Sequence, residues 1–335
     1  MLDALIRSVS GVPRTCIKLS IVTALLINAG AAWAQDKVTL KTVTPFTTDN
    51  ALSQPTVIFK ELVEKASNGR IEVQILGGPE VVPPPNQFEA LRNGVIHVLH
   101  ATVPYYSGTV PEATVLNYTQ RDAKAMRENG LFDLLRKVHR NRANVHYLAL
   151  GGGEPGEAFR YYLKKPLGEK GLQGLRIRVS PLTASVTEAV GAQPVSIPVT
   201  DLQTALERGV IDGVALTSIG AIEFGITEDT KYVLDHGFFS ANAPILINGA
   251  TWDSLPADVQ QILEKVGPEF EAAVYEYQSQ LLSKENERLK KAGMEFVKLP
   301  EESADEFVAK IIAAGWADYL KNASETQKQL YELAK

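Results

Sequence analysis

Hydrophobic residues along this chain switch repeatedly between a two-residue and a helical period. Val38 to Val43 reads as a strand, and Val57, Ile58, Leu62, Val63 and Ala66 then recur at helical spacing until Asn68 and Gly69 stop the helix. Ile71, Val73 and Ile75 alternate as a half-buried strand does. Asn86 with Glu89 three positions on predicts a capped helix that Gly94 closes, followed by a strand from Val95 to Ala101. The order β-α-β-α-β is that of an α/β lobe.

The unit then recurs. Ala90 to His97 and Ala205 to Asp212 share five of eight residues at an offset of 115, the second copy preceded by a candidate capping box from Thr200 to Gln203. Such a period is too long for a solenoid and fits two similar lobes. Between the copies, Gly151 to Gly156 lacks the Lys-Ser/Thr of a phosphate loop and leads into a strand-like run, Ala158 to Leu163, so it reads as a crossover whose glycines absorb backbone rotation. Further strands are expected at Lys231–Leu234 and Pro244–Ile247. A helix over about 257–291 is long enough to brace both lobes, and a last helix holding Phe307, Ile311 and Ile312 should end in a polar tail.

Residues 1–34 differ from the rest. Arg7, Arg14 and Lys18 precede a short apolar run from Ile21 to Ala32, and Ala32-Trp33-Ala34 supplies a small-x-small cleavage pattern, so a secretory signal peptide is expected. The run is short of the ~20 residues that span a bilayer. Removal would take the net charge from −5 to about −7 and remove Cys16, the only cysteine. Thiolate chemistry and cysteine metal sites are then excluded, and an acidic surface argues against nucleic acid. The mature chain is expected outside the cytoplasm.

Chemical motifs are sparse. The five histidines form no metal-ligand spacing, and no nucleophile elbow, Walker loop or dinucleotide fingerprint is present. No metal, cofactor or enzymatic activity is expected. Arginines stand out instead. In Gly174 to Val179, if Leu175, Ile177 and Val179 pack on one side, Arg176 and Arg178 share the other, where one guanidinium could hold a carboxylate through paired charge-assisted hydrogen bonds. Arg160 is a second candidate near the crossover.

Gly174–Val179, Gly191–Pro198 and Asp201–Gly213, with Gly69–Val73, Glu89–Gly94 and Tyr105–Glu112 before them, resemble in order the DctP-type substrate-binding proteins of tripartite ATP-independent periplasmic (TRAP) transporters. The resemblance implies an α/β, two-lobed fold like that of type II periplasmic binding proteins, with a ligand cleft between lobes. Lobe I would comprise 35–155 plus about 241–270, lobe II 156–240 plus about 285–322, with the long helix across both. It implies an organic-acid receptor in the periplasm of a Gram-negative bacterium, monomeric, handing ligand to membrane permease subunits. Arg178 would pair with the carboxylate and Arg160 assist. Thr102 and Tyr105 would enter from lobe I, Leu216 and Thr217 from lobe II, with Phe239 adding aromatic surface alongside Tyr106 and Phe238. Ala215 where relatives carry an acid argues against a cation-bridged ligand, and Val199 stands where some carry an aromatic, so a monocarboxylate with an apolar or aromatic body is expected. The same architecture serves ATP-driven importers and periplasmic sensor subunits.

Overall fold

The computed structural model describes residues 37–335 apart from 154, 169, 199 and 200 and the side chain of Glu302. The expected signal peptide, Val199 and the Thr200 capping position lie outside the described residues.

The chain opens with β1 (Val38–Thr42), α1 (Gln54–Ala66), β2 (Ile71–Ile75), α2 (Pro84–Arg92) and β3 (Val98–His100). Two details depart from expectation. Helix α2 starts at Pro84, with Pro83 as its cap, because a proline at the first helical position gives up no hydrogen bond there; Asn86 lies inside the first turn. The strand after Gly94 is only three residues long, since Val95 and Ile96 are consumed in closing the helix onto the Ala90 carbonyl. Then come α3 (Val115–Tyr118), α4 (Ala123–Glu128), α5 (Leu131–Ala143) and β4 (Val145–Gly151), which is buried throughout.

The chain next forms β5 (Phe159–Leu163), β6 (Arg176–Val179), α6 (Ala184–Ala189), β7 (Gln193–Ser196), α7 (Leu202–Glu207), β8 (Gly213–Thr217) and β9 (Tyr232–Leu234). It returns through β10 (Ala243–Asn248), α8 (Gly249–Ser254) and α9 (Ala257–Lys291), and finishes with β11 (Glu295–Val297), α10 (Glu301–Leu320) and α11 (Glu325–Ala334).

Two sheets result. In one, β10 lies antiparallel between β3 and β4. The β1–β2 pair joins its edge through His97, whose N–H donates to the Lys41 carbonyl at 2.8 Å. The other runs β7-β6-β8-β5-β9-β11, with β5 antiparallel between β8 and β9. Placing β2, β1, β3, β10, β4 against β7, β6, β8, β5, β9 gives one strand order twice, and in each the central antiparallel strand arrives from the other half of the chain.

Separate cores back this duplication. One gathers Val43, Leu99, Leu116, Phe132 and Tyr147; the two faces of the six-stranded sheet are covered by clusters around Tyr161, Ile177 and Phe238 and around Tyr162, Leu206 and Val214. Helix α9 joins them, about 50 Å long at 1.5 Å per residue. Glu264 and Glu271 pair with Arg136 and Arg127 of the first half at 2.9 and 2.7 Å, while Leu289 is buried in the second. Helix α10, expected with lobe II, is divided: Phe307 and Ile311 pack in the second half's core, but Trp316 and Tyr319 pack in the first's. The expected polar tail is instead helix α11, capped by Ser324 and anchored by buried Leu330 and Ala334.

The glycine crossover also works differently at its start. A Cβ on Gly151 would stand 2.9 Å from the Ala243 carbonyl, and one on Gly152 2.1 Å from Asn242 Oδ1, so these glycines admit the second crossing segment at close range. Only Gly156 of the described residues here has a positive φ, 81°.

Candidate functional site

Strand β6 behaves as its alternation predicts: Ile177 and Val179 are buried in the core, and Arg176 and Arg178 take the other face. The fates of the two arginines diverge. The Arg176 Nε and Nη2 donate to the Asp212 carboxylate at 3.0 and 2.8 Å, and its backbone N–H adds a third bond at 2.9 Å. This holds the Asp212 carboxyl below the usual carboxylate range.

Arg178 is 8% exposed, and toward the described residues only its Nε donates, to the Ile197 carbonyl at 2.9 Å. Among the described residues no carboxylate pairs with it, and burial pushes its guanidinium below the ordinary value. Register gives its direction. Arg178 pairs with Val195 on β7, so a bond to Ile197, two residues further, carries the side chain toward the C-terminal edge of the parallel strands. Ligands of open α/β sheets sit at that edge.

Thr217 ends β8 at the same edge and lines a cavity of about 320 Å³. The first half contributes Phe46, His100 and Thr102 to this cavity, the second Phe159 and Ser218, and α9 contributes Gln278, Ser279 and Leu282. Among the described residues its wall holds one carboxylate, Glu157, and no lysine or arginine. Arg178 itself does not line this cavity. A larger depression, about 840 Å³, lies across the crossing segments between α4 and α9; Gly153 and Asn242 line both. It contains none of the expected site residues.

Of the expected residues, the structure brings Thr102 and Thr217 together. Tyr105 is 42% exposed on a short turn after Thr102 and does not line the cavity. Leu216 faces away, into the core with Tyr162 and Leu206, because β8 alternation sends Thr217 to the cavity. Phe239 is buried against Tyr118, Phe159 and Phe238, and Tyr106 is stacked on Phe88 in the other core. The cavity's aromatic surface comes from Phe46 and Phe159 instead. Arg160 is engaged inside the protein: it donates to Glu157 and Asn286, each at 2.7 Å, with Asp235 at 3.7 Å. Its link to the cavity is Glu157. Phe46 and the α9 residues carry no local sequence signal, since only packing of distant segments makes them neighbours.

No group of three or more metal-ligating side chains that could hold an ion occurs among the described residues, nor does any helix among them suffice in length and apolarity to cross a membrane.

Comparison with known proteins places this arrangement. The profile of bacterial extracellular solute-binding protein family 7, DctP, matches residues 46–322. A monocarboxylate 2-oxoacid-binding periplasmic protein of Nostoc sp. is 24% identical over 215 residues, 60% of this chain and 57% of its own length. The C4-dicarboxylate-binding periplasmic protein DctP of Rhodobacter capsulatus is 26% identical over 247 residues, 69% of each. This chain thus spans between 57% and 69% of those relatives' lengths. A ligand-free, open TRAP periplasmic solute-binding protein from Rhodobacter sphaeroides has the same fold, with TM-score 0.78 at 23% identity over 89% of this chain and 99% of that one.

Proposed function

The chain belongs to the DctP family of bacterial extracellular solute-binding proteins, and from that membership we propose that it captures an organic monocarboxylate between its lobes and delivers it to the membrane subunits of a TRAP-type secondary transporter. The observation that carries this reading is Arg178: a nearly buried cation with one backbone partner and no counter-ion among the described residues. A buried charge left unpaired is costly, and an incoming carboxylate offers the guanidinium two parallel hydrogen bonds.

In this reading the lobes rotate about the crossing segments and close over the acid, bringing the Arg178 edge onto the 320 Å³ cavity. Thr102 and Thr217 contact the ligand from opposite lobes, and Tyr105 closes the rim. Arg160 acts indirectly, holding Glu157 at the wall. Leu216 and Phe239 support the strands from behind. The two relatives named above are called after a monocarboxylate and a dicarboxylate, respectively. A wall without lysine or arginine favours the former, because a second carboxylate would be buried without a cation.

Residues 1–34 would direct export to the periplasm of a Gram-negative cell, where the mature chain acts as a monomeric receptor without turnover. Delivery to an ATP-driven importer or a sensor kinase is the alternative for the same fold; finding neighbouring genes for a small four-helix membrane protein and a large permease, rather than an ATPase or a kinase, would decide against it.

A thermal-shift screen over about 100 organic acids tests the proposal. A ligand at 100 times its dissociation constant adds ~2.7 kcal/mol to stability, and the expected hits are monocarboxylates recovered chemically unchanged. Stabilisation by neutral sugars or amines alone, or binding that survives Arg178→Ala undiminished, would overturn it.

A further inference from the structure

We infer that His100 and Ser218 form a second, uncharged anchor in the interlobe cavity, one that selects acids carrying a hydroxyl or carbonyl oxygen besides their single carboxylate. The inference deepens the proposed receptor function and rests on it.

The two side chains reach one cavity from opposite lobes, His100 at the end of β3 and Ser218 directly after β8. They are 4% and 1% exposed. The Oγ of Ser218 has no hydrogen-bond partner among the described residues, and the His100 ring has only an Ala243 backbone group beside it, outside good hydrogen-bond geometry. The Oγ of Ser279 on α9, also in the wall, is likewise unpartnered. A folded protein leaves few buried polar groups unsatisfied, because each is costly. Three such side chains converging on one cavity indicate that a bound molecule supplies the missing partners.

The chemistry of that molecule follows from charge. Burial pushes the His100 imidazole down to about 4, with an Ala243 backbone group only partly opposing the shift, so at neutral pH the ring is uncharged. The ring meets Phe270 in a T-shaped contact, 6.3 Å between centroids, and no lysine or arginine lines the wall among the described residues. A neutral imidazole offers one donor and one acceptor nitrogen, and a serine hydroxyl offers both roles. That set suits a hydroxyl or a carbonyl oxygen; a second carboxylate would require a positive charge. The rest of the wall, with Pro45, Leu52, Phe159, Leu182, Ile219 and Leu282, suits an apolar body. At about 320 Å³ the space lies at the small end of ligand sites. An oxygen bonded by residues of both lobes would also stabilise the closed form, since neither lobe alone could satisfy it.

The test uses matched acids on the full mature chain, with dissociation constants from calorimetry: 4-hydroxyphenylacetate against phenylacetate, lactate against propionate, 4-methyl-2-oxopentanoate against 4-methylpentanoate, and succinate as the dicarboxylate. The expected result is that the tightest binder is oxygenated and at least about 10-fold tighter than its deoxygenated partner. Ser218→Ala and His100→Phe should each reduce that ratio towards one while leaving the deoxygenated acid's affinity within about threefold, and His100→Asn should restore part of it. If His100→Phe does not fold, Ser218→Ala, which removes one atom, carries the test. Equal affinities within every pair, tightest binding of succinate, or a ratio unchanged in both variants would overturn the anchor while Arg178-dependent binding of acids still stands. Failure of every acid to bind wild-type protein, or binding indifferent to Arg178→Ala, would overturn both readings.

Discussion

In the first lobe α2 ends at Gly94: its N–H donates to the Leu91 carbonyl at 3.1 Å, and that of Val95 to the Ala90 carbonyl at 2.9 Å. In the second, α7 ends at Gly209 with Leu206 and Ala205 as the acceptors, at 3.0 and 2.9 Å. Both are Schellman closures, with φ of 72° and 65° at the glycines. Each then delivers one residue that binds the adjoining strand twice. His97 donates its N–H to the Lys41 carbonyl and accepts from the Lys41 N–H at Nδ1; Asp212 does the same with Arg176 through its backbone and carboxylate. Two residues further along those strands the halves part. Val43 is fully buried in the first core, whereas Arg178 carries an unpaired guanidinium to the edge of the second sheet. One scaffold, used twice, serves packing in one lobe and charge in the other, and the asymmetry lies in side chains that the backbone motif does not constrain.

The largest effect should come from removing that asymmetry. Arg178→Ala is expected to weaken acid binding about 30- to 4,000-fold, the 2–5 kcal/mol typical of stripping one partner from a buried pair. Its melting temperature should change little, because in the empty fold the unpaired buried cation gains only its bond to the Ile197 carbonyl; a large loss of stability would mean the residue is structural. Val43→Ala at the matching position should do the opposite. Losing two buried methyl groups costs about 2–3 kcal/mol in denaturant unfolding, with affinity per folded molecule unchanged.

Smaller effects test whether the closures are equivalent. Gly94→Ala and Gly209→Ala should each cost about 1 kcal/mol, because an added Cβ meets nothing closer than 3.9 Å and only the left-handed backbone is penalised. A much larger loss at one glycine would break the equivalence. Asp212→Asn should cost least, its pair with Arg176 being half-exposed. Since the folded carboxyl titrates lower than the unfolded one, near 3.9, the stabilisation is present above that pH and disappears as pH falls through the folded value. Wild type and variant should therefore unfold alike in strong acid and separate towards neutrality.

Much of the scaffold was legible in the chain before folding. Periodicity located most strands, the repeated Ala-Leu…Gly-Val-Ile unit marked the same helix–glycine–strand closure twice, and the expected limits of α9 match the observed helix, which runs through Pro268. Alternation on β6 correctly separated Ile177 and Val179 from the arginines. These features depend on neighbours a few residues apart, where spacing alone decides hydrogen bonding and which face is apolar. What each arginine does depends on partners far along the chain. Arg176 is satisfied by a carboxylate 36 positions away, and Arg160 is engaged by Asn286, 126 positions away. The inward turn of Leu216 and Phe239, the division of α10 between two cores, and the meeting of His100 with Ser218 at one cavity likewise arise only when distant segments pack. Composition names the charges, but a charge is neutralised, or left waiting for a ligand, by distance and burial, and those exist only in the folded molecule.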